Sequence, residues 1–132
     1  MIVIDASVLA NVVADDGPDG AAARAHVRGA GELAAPDLVD VETVSVLRRR
    51  WLSKDLSASR FRVAIDDLES LAVVRYPTLA LMRRAYELRA NVTAYDATYV
   101  ALAEALACTL VTADERLANA PGPECAIHVL RS

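Results

Sequence analysis

Met1-Ile2-Val3-Ile4-Asp5-Ala6-Ser7-Val8-Leu9 is the stretch on which the fold turns. Ile2 to Ile4 are apolar and β-branched, the mark of a short strand buried on both faces. The strand stops at Asp5, and from Ala6 onward apolar residues recur at helical spacing. Strand, acid and helix in immediate succession open an α/β unit, and such folds bind ligands outside the carboxyl ends of their strands. Asp5 therefore has two candidate roles: it can cap the helix by accepting a backbone N–H, or it can belong to a site at that corner. Which of the two applies depends on what else arrives at the same edge.

Outward from that stretch, Ser7 to Ala14 form a first helix, ended by the breaker Asp15-Asp16-Gly17-Pro18. Asp19 caps a second helix reaching Arg28, which Gly29 and Gly31 close. Glu32 to Ala35 make a brief strand ended by Pro36. Asp37 begins a helix to about Leu52, with Leu38, Val41, Val44, Leu47 and Trp51 as its inward stripe. Ser57 caps the next helix, to about Ser70. Leu71 to Val74 follow as a strand, then an amphipathic helix from Thr78 to Arg89. Thr93 caps a helix from about Ala94 to Ala107 that is apolar nearly all round and belongs beside the sheet. Cys108 to Val111 are a strand, Thr112 to Ala118 a helical turn, and Ala126 to Leu130 a last strand. Alternating strands and helices imply βαβ units and a mainly parallel sheet. The fold class expected is a three-layer α/β/α domain, a single unit over residues 1–132. The helices between Asp37 and Ser70 read as a two-helix arm inserted between strands.

At 132 residues the chain is long enough to bury roughly two thirds of the surface its unfolded form exposes. Hydrophobic residues are 55% and aromatic ones only 5%, so the core is built mainly of Ala, Val and Leu. Apolar runs are too short to span a membrane, and the N-terminus lacks a basic lead-in, which points to a cytoplasmic protein. Cys108 and Cys125 stand without metal-ligand spacing and read as reduced, buried thiols. A net charge of −4 opposes non-specific attraction to nucleic acid unless a cation or a local basic cluster supplies positive charge.

Four acids arrive where ligands bind. Asp5 follows the first strand, Asp114 lies just past the strand ending at Val111, Asp96 is in the first turn of the buried helix, and Glu42 is in the second turn of the helix begun at Asp37. Each has a structural role open to it: Thr93 and Asp96 resemble a capping box, Asp114 can cap its own helix, and Glu42 can be a solvated charge. Together they form a chemical pattern. Carboxylates at about 5 Å repel by roughly 3 kcal/mol per pair at an effective dielectric near 20. Protonation or a divalent cation must relieve that, and Mg²⁺ or Mn²⁺ prefers carboxylate and water oxygens.

The four motifs Ile4-Asp5-Ala6-Ser7, Pro36-Asp37-Leu38-Val39-Asp40-Val41-Glu42, Tyr95-Asp96-Ala97-Thr98-Tyr99 and Leu110-Val111-Thr112-Ala113-Asp114, in that order, resemble the PIN domain, and more narrowly the VapC toxins of VapBC toxin–antitoxin pairs. The resemblance runs the length of the chain. It implies a Mg²⁺-dependent (or Mn²⁺-dependent) endoribonuclease with Asp5, Glu42, Asp96 and Asp114 as its catalytic acids. Asp5, Asp96 and Asp114 would then be the metal ligands and Glu42 the residue that orients or deprotonates the attacking water. Ser7 and Thr112 match supporting hydroxyl positions. Arg49, two turns beyond Glu42, is a candidate RNA phosphate contact or else a charge complementing the helix C-terminus. The resemblance also implies an RNA substrate, a VapB-type antitoxin partner and a homodimer, and the apolar faces of the helices from Asp37 to Ser70 are the expected antitoxin groove, by helix-in-groove docking. The competing reading is a degenerate PIN module that binds RNA or protein without cutting. A dehalogenase-like phosphatase would need a second Asp where Ser7 stands. His26 and His128 read as structural, and Trp51, Tyr95 and Tyr99 as core or interface residues.

Overall fold

In the computed structural model, which describes residues 1–131, the opening strand β1 (Ile2–Ile4) is the centre of a five-stranded sheet. The others are β2 (Leu33–Pro36), β3 (Val73–Tyr76), β4 (Thr109–Thr112) and β5 (Ile127–Val129). The order is β3-β2-β1-β4-β5 and every pairing is parallel. The chain builds outward from β1 through β2 to β3, then returns to lay β4 on the free side of β1. The carboxyl ends of β1 and β4 therefore border a topological switch point, where neighbouring connections diverge and leave a crevice.

Helices cover both faces in three layers. On one face α1 (Ala6–Ala14) carries α2 (Pro18–Gly29), α3 (Val39–Leu52) and α4 (Ala58–Ser70) around it. On the other, α6 (Ala94–Leu106) crosses β1, β2 and β4 and supports α5 (Met82–Glu87), which follows a 3-10 turn at Leu79–Leu81. The short α7 (Glu115–Asn119) packs on β5. The expected burial of α6 is met: Ala97 to Ala103 are buried without a break.

Several expectations need correction. Asp19 does not cap α2; Gly17 does, with Pro18 in the first turn, where its missing N–H costs nothing. The capping work falls to Asp15, whose Oδ1 accepts from the amides of Gly17 (2.8 Å) and Gly20 (3.1 Å). Pro36 does not end β2 but is its last paired residue, opposite Tyr76. The pairing of β1 with β2 reaches only Val3 and Ala34, so no ladder N–H is required of Pro36 on that side. Strand β3 begins two residues later than expected and takes in Arg75 and Tyr76. The two-helix arm lies between β2 and β3 as expected, and both of its helices, α3 and α4, pack on α1.

The largest correction is the rotation of α3. Its buried residues are Val39, Thr43 and Leu47, whereas Val41 is 75% exposed and Val44, Trp51 and Leu52 are also exposed. Leu47 of the expected stripe is buried and Leu38 half-buried, but the helix carries a second apolar stripe that faces inward and whose sequence signal is the weaker because Thr43 interrupts it. Cys108 and Cys125 are free and half-buried rather than buried. His26 and His128 stack with ring centroids 5.0 Å apart, joining α2 to β5, which gives both a structural role.

Arg75 and Arg84 are not bare surface charges. Arg75 pairs with Asp40, and Arg84 grips both oxygens of Glu104 at 2.7 and 3.0 Å, tying α5 to α6. Glu104 also accepts the Glu124 amide at 2.7 Å, and Arg84 holds the Glu104 carboxyl below the usual carboxylate range. A carboxylate lowered in the folded state stabilises above its unfolded pKa, and that contribution is lost as pH falls through the folded value. Arg84→Ala is expected to destabilise by about 1 kcal/mol at pH 7, with a smaller difference from wild type at about pH 3, where Glu104 loses charge but the bond from Arg84 to the Gly122 carbonyl stays. Urea unfolding at the two pH values checks it.

Candidate active site

The Asp5 carboxylate is buried at the C-terminal end of β1. One oxygen accepts from Ser7 Oγ (2.6 Å) and from the Val8 amide (3.1 Å), so Asp5 is the N-cap of α1. The other accepts from Thr112 Oγ1, at the end of neighbouring β4. Ser7 Oγ in turn accepts the Ala113 amide at 3.1 Å, and Thr112 Oγ1 accepts the Asp114 amide at 3.1 Å. Ser7 and Thr112 thus lock the turn after β4 to the turn after β1. Burial pushes the Asp5 carboxyl above its ordinary value, against the opposite pull of these hydrogen bonds.

An open cleft of about 470 Å³ lies over this corner, and Asp5, Glu42, Asp96 and Asp114 all line it. The four acids expected at one edge are brought together there, from four different elements. Asp96 is half-buried in the first turn of α6, its amide bonded to Thr93 Oγ1 at 3.2 Å. Its carboxyl is raised, first by burial and then by the negative charges of Asp5 and Asp114. Glu42 is raised by burial and by Asp96 and Asp5, while its hydrogen bond to Tyr99 and the Arg49 charge pull the other way. Asp114 behaves differently: it N-caps α7 and is held low by Arg116, with Nη2 and Oδ2 3.2 Å apart. Asp5 and Asp114 are therefore caps that also line the cleft.

Tyr99, which the sequence places in the core or an interface, is also a cleft residue. It is buried, as expected of a core side chain, but its hydroxyl donates to Glu42 Oε1 at 2.6 Å. One signal was available in the sequence, since Tyr99 lies three residues after Asp96 and so on the same face of α6. Tyr95 is 64% exposed on the rim and is not a core residue. Val41, Ser45, Val46 and Arg49 complete the α3 wall. Arg49 points into the cleft, its Nη1 3.2 Å from Ser45 Oγ, while Arg50 turns away to Asn11.

The donor set suits a hard divalent cation, because ionised carboxylates are pure oxygen acceptors. Among the described residues, however, no three carboxylate, histidine or cysteine side chains stand close enough to enclose an ion as they are placed. Asp114, in addition, is engaged by Arg116.

A PIN domain is matched over residues 2–123 of the chain. VapC ribonuclease Mb0985 of Mycobacterium bovis is 46% identical, covering 98% of both chains. The protein belongs to the PIN-domain family, in its VapC branch. The fold of this PIN domain is shared with PAE2754 of Pyrobaculum aerophilum, at a TM-score of 0.69, 26% identity, and coverage of 96% of this chain and 81% of that one. It is shared also with VapBC2 of Rickettsia felis, solved bound to a promoter DNA fragment, at a TM-score of 0.70, 15% identity, and coverage of 99% and 100%. No helix of this PIN domain, among the described residues, is long and apolar enough to cross a membrane.

Proposed function

We propose that this PIN domain is a metal-dependent endoribonuclease, the toxin of a VapBC-type pair. The observation that carries the reading is the convergence of four carboxylates from β1, α3, α6 and the β4–α7 turn on one cleft at the switch point of the sheet. Two of its relatives support it by name, a VapC ribonuclease and a VapBC assembly. Asp5, Asp96 and Asp114 would hold Mg²⁺ or Mn²⁺. When bound, the cation lowers the pKa of a coordinated water and offsets charge on the phosphoryl oxygens.

The chain's own residues divide the remaining work. Glu42 takes the proton of the attacking water; burial and its acidic neighbours raise its proton affinity towards that of a useful base. Tyr99 fixes the Glu42 carboxylate from below through its 2.6 Å hydrogen bond. Ser7 and Thr112 fix Asp5. Arg49, at the α3 wall, meets an RNA phosphate as the strand enters. Tyr99→Phe keeps the core packed but frees Glu42 to rotate, so turnover is expected to fall about ten-fold with little change in melting temperature.

Sequencing RNA ends after brief induction, beside an Asp5→Ala control, tests the function directly. New ends at defined sequences in the active protein alone are expected; identical ends from both would sink the reading.

The antitoxin partner is proposed to lay an apolar helix along the exposed stripe of α3, Val44 with Trp51 and Leu52, and to reach the cleft past Val41. A homodimer is proposed on the same family grounds. Val44→Glu with Trp51→Glu is expected to weaken antitoxin binding at least about ten-fold, since these residues are exposed and each would place a charge in an apolar contact. Unchanged affinity in a calorimetric titration would exclude this surface.

A further inference from the structure

The Arg116 side chain is 92% exposed, yet it folds back on Asp114. Nη2 lies 3.2 Å from Oδ2 and Nε 3.3 Å from Oδ1, and the Arg116 amide donates to Oδ1 at 2.9 Å. Both carboxylate oxygens are thus engaged by one neighbouring residue. A bidentate fork of this kind is open to arginine and not to lysine. Location gives the pair its interest. Asp114 lines the main cleft and also a smaller one of about 180 Å³ beside it, a cleft that Asp96 and Arg116 line as well. Arg116 therefore stands at the seam between the two, supplying positive charge to the acid cluster from outside. Arg49, the guanidinium that lines the main cleft itself, bonds to Ser45 instead.

We propose that Arg116 is an exchangeable counter-ion of the site. It holds the Asp114 carboxylate turned towards α7, and a divalent cation gains that carboxylate only as the Arg116–Asp114 pair opens. The inference rests on the metal-dependent reading above and adds a positioning residue to it. The physical case is one of competition. A carboxylate has about four lone-pair directions, and the guanidinium and the Arg116 amide occupy those nearest α7. An exposed local pair is weak and screened by solvent, so it lowers the cation's affinity modestly without excluding it. In the meantime it keeps a fourth negative charge from facing Asp96 uncompensated.

Calorimetric titration of Mn²⁺ into the full chain tests this without any RNA. Arg116→Ala is expected to tighten Mn²⁺ binding about two- to five-fold, the range set by exposed ion pairs. Arg116→Lys, which keeps the charge but loses the fork, should fall between the two. Arg49→Ala removes the same charge from the cleft without touching Asp114 and should have a smaller effect. In an Asp114→Asn background, removing Arg116 should change nothing further, closing a double-mutant cycle. Equal effects of Arg116→Ala and Arg49→Ala, or unchanged or weaker binding by Arg116→Ala, would overturn the proposal alone. Wild-type protein that binds no Mn²⁺ would overturn the metal-dependent reading and this inference with it.

Discussion

Asp5→Asn is expected to abolish metal-dependent RNA cleavage while leaving the protein folded. Asparagine has nearly the same shape and retains one oxygen to accept the Ser7 hydroxyl and the Val8 amide, so the α1 cap survives. Its amide nitrogen then faces Thr112 Oγ1, a hydroxyl that can rotate from donor to acceptor. Lost is the negative charge at the buried centre of the acid cluster, and with it a metal ligand. A loss of about a hundred- to a thousand-fold or more in turnover is expected, the scale seen when one preorganised electrostatic group is removed. Asp5→Ala should lose as much activity and also stability. It deletes the cap, worth about 1 kcal/mol, and strands the buried Thr112 hydroxyl. A melting series with and without Mn²⁺ separates the two effects. Wild type should melt higher with the cation, because a ligand that binds only the folded state stabilises it, and Asp5→Asn should not respond. Undiminished, metal-dependent cleavage by Asp5→Asn would remove Asp5 from the site.

Gly20→Ala should be the most destabilising of the glycine-to-alanine changes in the chain. A Cβ at Gly20 would stand 1.8 Å from the Asp15 carbonyl oxygen, 2.6 Å from its carbon and 2.9 Å from Arg24 Nη1. The nearest atoms are backbone and cannot step aside. That carbonyl is the same one that accepts from Arg24 Nη1 at 2.8 Å, part of a bond set that closes the C-terminal end of α1. The methyl would drive α2 away from α1, breaking the Arg24 contact and the Asp15 bond to the Gly20 amide together. A loss of about 3 kcal/mol or more is expected, at the upper end of overpacking effects. Gly29→Ala is the matched control, because nothing lies within 4 Å of its Cβ position. It should be neutral or slightly stabilising, given the better helix propensity of alanine. Urea denaturation of both variants decides the matter; equal stabilities would mean that the α1–α2 corner is far more yielding than its geometry indicates.

These two sites differ in how visible they were from the residues alone. Asp5 announces itself, since a buried strand running straight into an acid and a helix allows few arrangements. The close approach at Gly20 does not, for nothing in Pro18-Asp19-Gly20-Ala21 says that a carbonyl from the preceding helix rests on it. The four acids were legible as a group because each sits at a strand end or in an early helical turn, and parallel topology sends those positions to one edge. The Tyr99 bond to Glu42 spans 57 residues, and the rotation of α3 likewise depends on partners distant in sequence. Two apolar faces of similar strength leave the choice to the neighbours, here α1, which takes Val39, Thr43 and Leu47 inward and leaves Val41 and Trp51 outside.

What the sequence determined by itself was local: strand β1, the caps at Asp5, Ser57 and Thr93, the buried α6, and the set of acids. Such features are decided within three or four residues, where backbone N–H groups, side-chain acceptors and apolar periodicity act directly. Tertiary structure alone decided which face of α3 looks into the cleft and which Asp5 oxygen Thr112, a supporting hydroxyl expected from its motif, reaches across 107 residues. It decided as well that Tyr99 supports Glu42 and that Asp114 meets its neighbours across a switch point. Those outcomes depend on how whole helices seat on the sheet. That seating minimises the exposed apolar area and the unpaired polar groups of the entire domain, a quantity that no single stretch carries.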